Sequence, residues 1–141
     1  TEQSKFISDV DIRLLTGPEL LTGSTRLKAG TATKMTLNMI STIVMVRLGK
    51  VYGNKMVDVA VKNNKLHDRA LRILNDIADV DRNEGERLLK SSNGSVKLSL
   101  LMAIGNIDLK SAQEILKANN HYLRPALEQI YTFKQVSQDK F

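Results

Sequence analysis

Two hydrophobic periods alternate along this chain. Residues 9–15 read Asp-Val-Asp-Ile-Arg-Leu-Leu, and the alternation of Val10, Ile12 and Leu14 predicts a strand with one buried face. Thr16, Gly17 and Pro18 break it, since proline cannot donate to a ladder, and residues 18–21 fit a short helical turn. Between residues 33 and 48 the period becomes helical. Met35, Leu37, Ile40, Ile43, Val44, Val46 and Leu48 cover more than half the circumference, which predicts a buried helix, and Gly49 stands where a left-handed residue closes it. Residues 51–61, with Gly53-Asn54 inside, read as a connector. A second long helix is expected over 63–77, with Leu66, Ala70, Ile73, Leu74 and Ile77 on one side.

Short helices follow, with clear punctuation. Asp81 and Glu84 spell a capping box, and that helix ends at Ser91-Ser92-Asn93-Gly94. Ser95 can cap a helix over 96–104, stopped by Gly105; Asp108 can cap another over 109–117, stopped by Asn119-Asn120. Pro125 suits the first turn of a last helix carrying Leu127 and Ile130. Helices of about ten residues with short links make a compact bundle. Residues 135–141 read as a polar tail. One strand cannot make a sheet, so its partners are expected from outside the chain or from another copy of it.

Composition narrows the chemistry. The 141 residues contain no cysteine, which excludes a disulfide scaffold, a thiolate metal site and a cysteine nucleophile. The apolar runs are far shorter than the roughly 20 residues a bilayer requires, and residues 1–4 do not open a signal segment, so a cytoplasmic location without membrane contact is expected. The formal charge of +6 is spread along the chain rather than gathered on one face, which argues against a nucleic-acid partner. Its one local excess is Arg26, Lys28 and Lys34, with no acid between Glu19 and Asp58.

That excess falls in the one segment that looks like chemistry, Gly23-Ser24-Thr25-Arg26-Leu27-Lys28-Ala29-Gly30-Thr31-Ala32-Thr33-Lys34. Glycines let backbone approach an anion, the Ser24, Thr25, Thr31 and Thr33 hydroxyls can donate, Arg26 offers a planar fork, and a helix N-terminus adds N–H groups. Neither the Walker A spacing nor a dinucleotide fingerprint occurs. The plain alternative is a loop that caps a core helix, with Thr31 as N-cap. Other candidates are weaker. His67 and His121 suit surface or capping roles, Asp9 and Asp11 suit solvated charges, and no His/Asp/Glu set has metal spacing.

The blocks GPELLTGSTRLKAGTATKMTLNMIST, RLGKVYGNKMVDV and NNKL, in that order, resemble bacterial N-acetylmuramic acid 6-phosphate etherases and, more distantly, the glucokinase regulatory protein of animals. The likeness covers residues 1 to about 130. It implies a mainly α chain: the C-terminal remnant of a sugar-isomerase-type three-layer α/β phosphosugar domain, then a small bundle like a ubiquitin-associated domain. On that reading residues 1–62 belong to the phosphosugar domain, 63–80 form a connecting helix, 81–132 the bundle and 133–141 the tail.

The family activity so implied is a lyase reaction, in cell-wall amino-sugar recycling. It cleaves the D-lactyl ether of N-acetylmuramic acid 6-phosphate to N-acetylglucosamine 6-phosphate and D-lactate, without cofactor or metal. Ser24, Thr25 and Arg26 would contact the sugar phosphate, Thr22 and Gly23 would shape the turn, and Lys65 would reach toward the ligand. The serine-rich turn and the two glutamates that serve the family as acid and base have no counterpart here, so no catalytic residue is expected in this chain. Nothing in the residues promotes Glu19 to that role. The chain alone is therefore expected to be inactive, with a non-catalytic sugar-phosphate-sensing or protein-interaction module as the alternative. The apolar helix at 33–48, deprived of a sheet, implies a homo-oligomer.

Overall fold

The computed structural model describes residues 9–59 and 61–138, with the backbone alone for 134 and 136–138. The described residues form α1 (Lys28–Arg47), β1 (Val51–Tyr52), β2 (Lys55–Met56), α2 (Asn64–Ala78), α3 (Arg82–Ser91), α4 (Val96–Gly105), α5 (Leu109–Ala118) and α6 (Leu123–Gln138). The chain is mainly helical and divides into two compact units, one reaching Val44 and the other running from Met45. Residues 1–4 and the last three residues of the expected tail lie outside the described residues.

In the first unit two expectations fail for one reason. Residues 9–15 form no strand, and Val10 and Ile12 stay 73% and 56% exposed. A strand needs a neighbour to take its N–H and C=O groups, and the described residues place none beside it. The helix expected from residue 33 begins five residues earlier, at Lys28, and takes in the Ala-Gly-Thr-Ala-Thr run. It is not buried: no residue of α1 is, and Met35, Leu37 and Ile43 are each more than half exposed. An apolar circumference records what a helix can bury, and it supplies no partner surface.

The second unit opens with the end of α1. Gly49 has φ +66°; its N–H donates to Val46 O at 3.0 Å, and Lys50 N–H donates to Met45 O at 3.1 Å. This paired closure satisfies carbonyls the last turn would otherwise leave open. Tyr122, 75 residues on, adds its hydroxyl to Arg47 O. The segment 51–61 is more than a connector. Val51 pairs with Met56 and Tyr52 with Lys55 across a two-residue turn, where Gly53 takes φ +58°. Val57 N–H then donates to Lys50 O at 3.0 Å, which places the Val57 side chain in the core.

Side-chain caps start the next helices where the sequence places them. Asn63, Asp81, Ser95 and Asp108 accept from Leu66, Glu84, Leu98 and Ser111 backbone N–H groups. Only half of the expected box forms at α3, because the Glu84 carboxylate pairs with Arg87 at 2.5 Å. The stop after α4 is Asn106, left-handed at φ 50°, with Gly105 still inside the helix. Helix α4 packs on α2, α3, α5 and α6. That central place explains why its sequence is apolar apart from Lys97 and Ser99: it has four neighbours and little solvent. Leu100 and Leu101 are fully buried beside Ala70, Leu74, Ala112, Ala126 and Leu127, and each such leucine contributes about 1.5–3 kcal/mol. Helix α6 runs on to Gln138, so most of the expected tail is helical.

Candidate functional site

Five of the six expected ligand contacts lie on one surface turn of the first unit. Ser24 N–H donates to Leu21 O at 3.0 Å, closing a four-residue turn whose third residue, Gly23, has φ +82°. That is the type II arrangement, which requires a glycine-like residue there. Thr22 therefore precedes the glycine, Ser24 follows it half-buried, and Thr25 and Arg26 stand exposed just before α1. Arg26 is 2 residues short of the helix.

The amides of the first turn of α1 are already satisfied from within. Lys28 and Ala29 N–H donate to the two carboxylate oxygens of Glu19 at 3.0 and 2.9 Å. Gly30 N–H donates to Thr25 O at 2.9 Å and Thr31 N–H to Leu27 O at 3.1 Å. The sequence reading offered these groups to a phosphate, with Thr31 as the cap. The structure corrects both points: Glu19 is the capping group, and Thr31 lies inside the helix. The Ala29 and Lys28 amides, with the Lys28 charge, hold the Glu19 carboxyl below the ordinary glutamate range against a small opposing effect of burial. Lys28 Nζ donates to Pro18 O at 2.8 Å, which ties the Gly-Pro-Glu block to the helix a second time. Glu19 lies nine residues before the helix it caps, outside the apolar pattern that marks α1. The available signal was an acid upstream of a helix whose first turn carries no acid of its own.

Lys65 belongs to the second unit. It stands exposed in the first turn of α2, two residues after the Asn63 cap. Nearby, His67 Nε2 meets Glu86 Oε2 at 2.7 Å, linking α2 to α3. Asp68 accepts from Arg82 at 3.0 Å and Arg72 at 2.6 Å, and these hydrogen bonds hold its carboxyl below the usual range. His121 takes a left-handed conformation, φ 63°, after α5, and its carbonyl accepts from Lys97 Nζ at 2.9 Å. Asp11 pairs with Arg13 at 2.7 Å at the surface. Among the described residues no group of three or more acidic or imidazole side chains converges as a metal site would need.

Comparison with known proteins adds what this geometry leaves open. A protein named N-acetylmuramic acid 6-phosphate etherase from Prochlorococcus marinus (strain MIT 9303) is 64% identical over 126 residues, covering 89% of this chain and 40% of the relative. One of the same name from Synechococcus sp. (strain CC9902) is 63% identical over 127 residues, covering 90% and 40%. This chain is closely similar to two-fifths of such an etherase. The likeness persists in Trichodesmium erythraeum (strain IMS101), at 57% identity over 129 residues, 92% of this chain and 42% of the relative. Residues 53–99 also match the family described as the C-terminal lid domain of glucokinase regulatory protein. Both resemblances read from the sequence blocks therefore stand. The lid match begins at the hairpin turn, takes in α2 and α3, and ends within α4; it includes Lys65 and leaves the turn at Thr22–Arg26 outside.

Proposed function

We propose that this chain is part of an N-acetylmuramic acid 6-phosphate etherase and carries one portion of its sugar-phosphate site. The observation that supports this most is the identity to proteins of that name over nine-tenths of the chain. The chain spans about 40% of the length of those relatives, so the activity belongs to the proposal. On this reading residues 1–62 are the end of a sugar-isomerase-type phosphosugar domain, and residues 81–132 form a bundle like a ubiquitin-associated domain.

In that site Arg26 would hold the phosphate by its guanidinium fork, with Ser24 and Thr25 hydroxyls donating to phosphate or sugar oxygens. Thr22 and Gly23 would shape the turn, and Lys65 would be the contact from α2. The amides of α1 would take no part while Glu19 holds them. No residue of this chain is assigned to the acid or base of the elimination, so residues 1–141 alone would bind without releasing lactate.

A titration of the chain with N-acetylglucosamine 6-phosphate against N-acetylglucosamine, followed by NMR, tests this. Phosphate-dependent shifts centred on residues 22–26, lost in Arg26→Ala and weakened in Ser24→Ala, are the expected result. No response at millimolar ligand would favour the other reading, a protein-interaction module, which the lid-domain match over 53–99 supports.

A further inference from the structure

Lys97 brings a charged side chain to the edge of the core. It sits in the first turn of α4 at 7% exposure, between the core residues Val96 and Ser99. An ammonium carries three donors. Among the described residues one acceptor meets it, the carbonyl of His121 at 2.9 Å. A charged group held against the core gains from an acceptor that reaches it. The nearby acid, Asp58, lies 3.3 Å from Lys50 and favours the charged form of Lys97 more than Lys50 opposes it.

The side chain lines a cleft of about 500 Å³ within the second unit. Leu48, Leu98 and Leu116 give it an apolar wall, while Gln113 and Lys117 from α5 stand at its polar side together with Asp58 and His121. Burial holds the Lys97 ammonium below the ordinary lysine range; Asp58 opposes this and Lys50 adds to it. The cleft thus combines two cations, Lys97 and the more exposed Lys117, with the acid Asp58 and a hydrocarbon wall. It offers no guanidinium fork of the kind that favours phosphate.

We infer that this cleft binds a small amphipathic monocarboxylate, its carboxylate on Lys97 and its alkyl body against Leu48, Leu98 and Leu116. Lys97 and Lys117 against Asp58 leave one net positive charge, which suits a single negative charge, and the apolar wall favours a carboxylate with a hydrocarbon body over an inorganic anion. The cleft shares no residue with the turn at Thr22–Arg26, and the inference does not depend on the etherase reading.

The experiment is an NMR titration of the full chain with isobutyrate, its neutral isostere isobutyramide, and inorganic phosphate at constant ionic strength. Isobutyrate should shift the Leu98, Leu116 and His121 amides saturably and raise the pKa of Lys97, because a bound anion favours the charged amine. Lys97→Met should weaken that binding by about tenfold or more. Isobutyramide should leave the Lys97 pKa unmoved, a comparison that needs no variant and holds even if Lys97→Met misfolds. Equal binding of isobutyrate and isobutyramide, stronger binding of phosphate, unchanged affinity in a folded Lys97→Met chain, or no saturable response would each overturn the inference.

Discussion

At the scale of single residues, the chain depends on backbone positions that only one side chain suits. Gly49 is the sharpest case. It is left-handed, and a Cβ there would meet the Tyr122 ring at 2.9–3.2 Å. Gly49→Ala should therefore destabilise the second unit by about 2 kcal/mol, combining left-handed strain with displacement of the ring. Urea unfolding would read the loss, and a change within a few tenths of a kcal/mol would contradict this account of the closure. The glycine's role as a helix stop was legible from its position after an apolar run; the aromatic ring lying on it was not, because 73 residues separate them. Of the site residues, Thr22 and Gly23 as shapers of a turn came from the family resemblance, not from the local pattern. Glu19 was not legible, since its partners depend on where α1 begins.

At the scale of elements, α1 shows how a cap sets a boundary. The Glu19 carboxylate satisfies two N-terminal amides and lies at the positive end of the helix dipole. Its pKa is lowered in the folded chain, so the cap's contribution is complete above the unfolded value of about 4.3 and is lost as pH falls through the lower folded value. Backbone amide shifts of residues 28–31 should stay constant from neutral pH down to that region and then move toward frayed values. Glu19→Gln should show the frayed values already at neutral pH and remove the transition. An unchanged acid titration in the variant would mean that Glu19 is not the capping group. Helices α2 to α5 were legible nearly to the residue because Asn63, Asp81, Ser95 and Asp108 act on amides three positions away. The hairpin at 51–56 was not, as two-residue strands have no period to detect.

At the scale of the whole molecule, the exposed apolar circumference of α1 is the feature with consequences. Leu37, Met39, Ile43 and Val46 are each more than half exposed, beyond what single chains usually leave to water. We expect the 141-residue chain to self-associate through this helix. Sedimentation equilibrium at micromolar concentration should give a mass above the 15.7 kDa of one chain, reduced toward it by a Leu37→Glu, Ile43→Glu pair. A single 15.7 kDa species in the unaltered chain would contradict the expectation.

The sequence alone determined the features whose causes lie within a few residues: helices α2 to α5, their starts, the glycine stop after α1 and the blocks that carry the etherase likeness. Those causes act through the i to i+3 and i+4 geometry that one stretch of chain contains. Whether Val10, Ile12 and Leu14 become a strand, whether the apolar face of α1 is covered, and which group holds the α1 amides were decided by tertiary structure. So was the burial of Lys97 beneath the turn at His121. Each requires a partner distant in sequence, and hydrophobic pattern states only that burial is favourable, not what supplies the other surface.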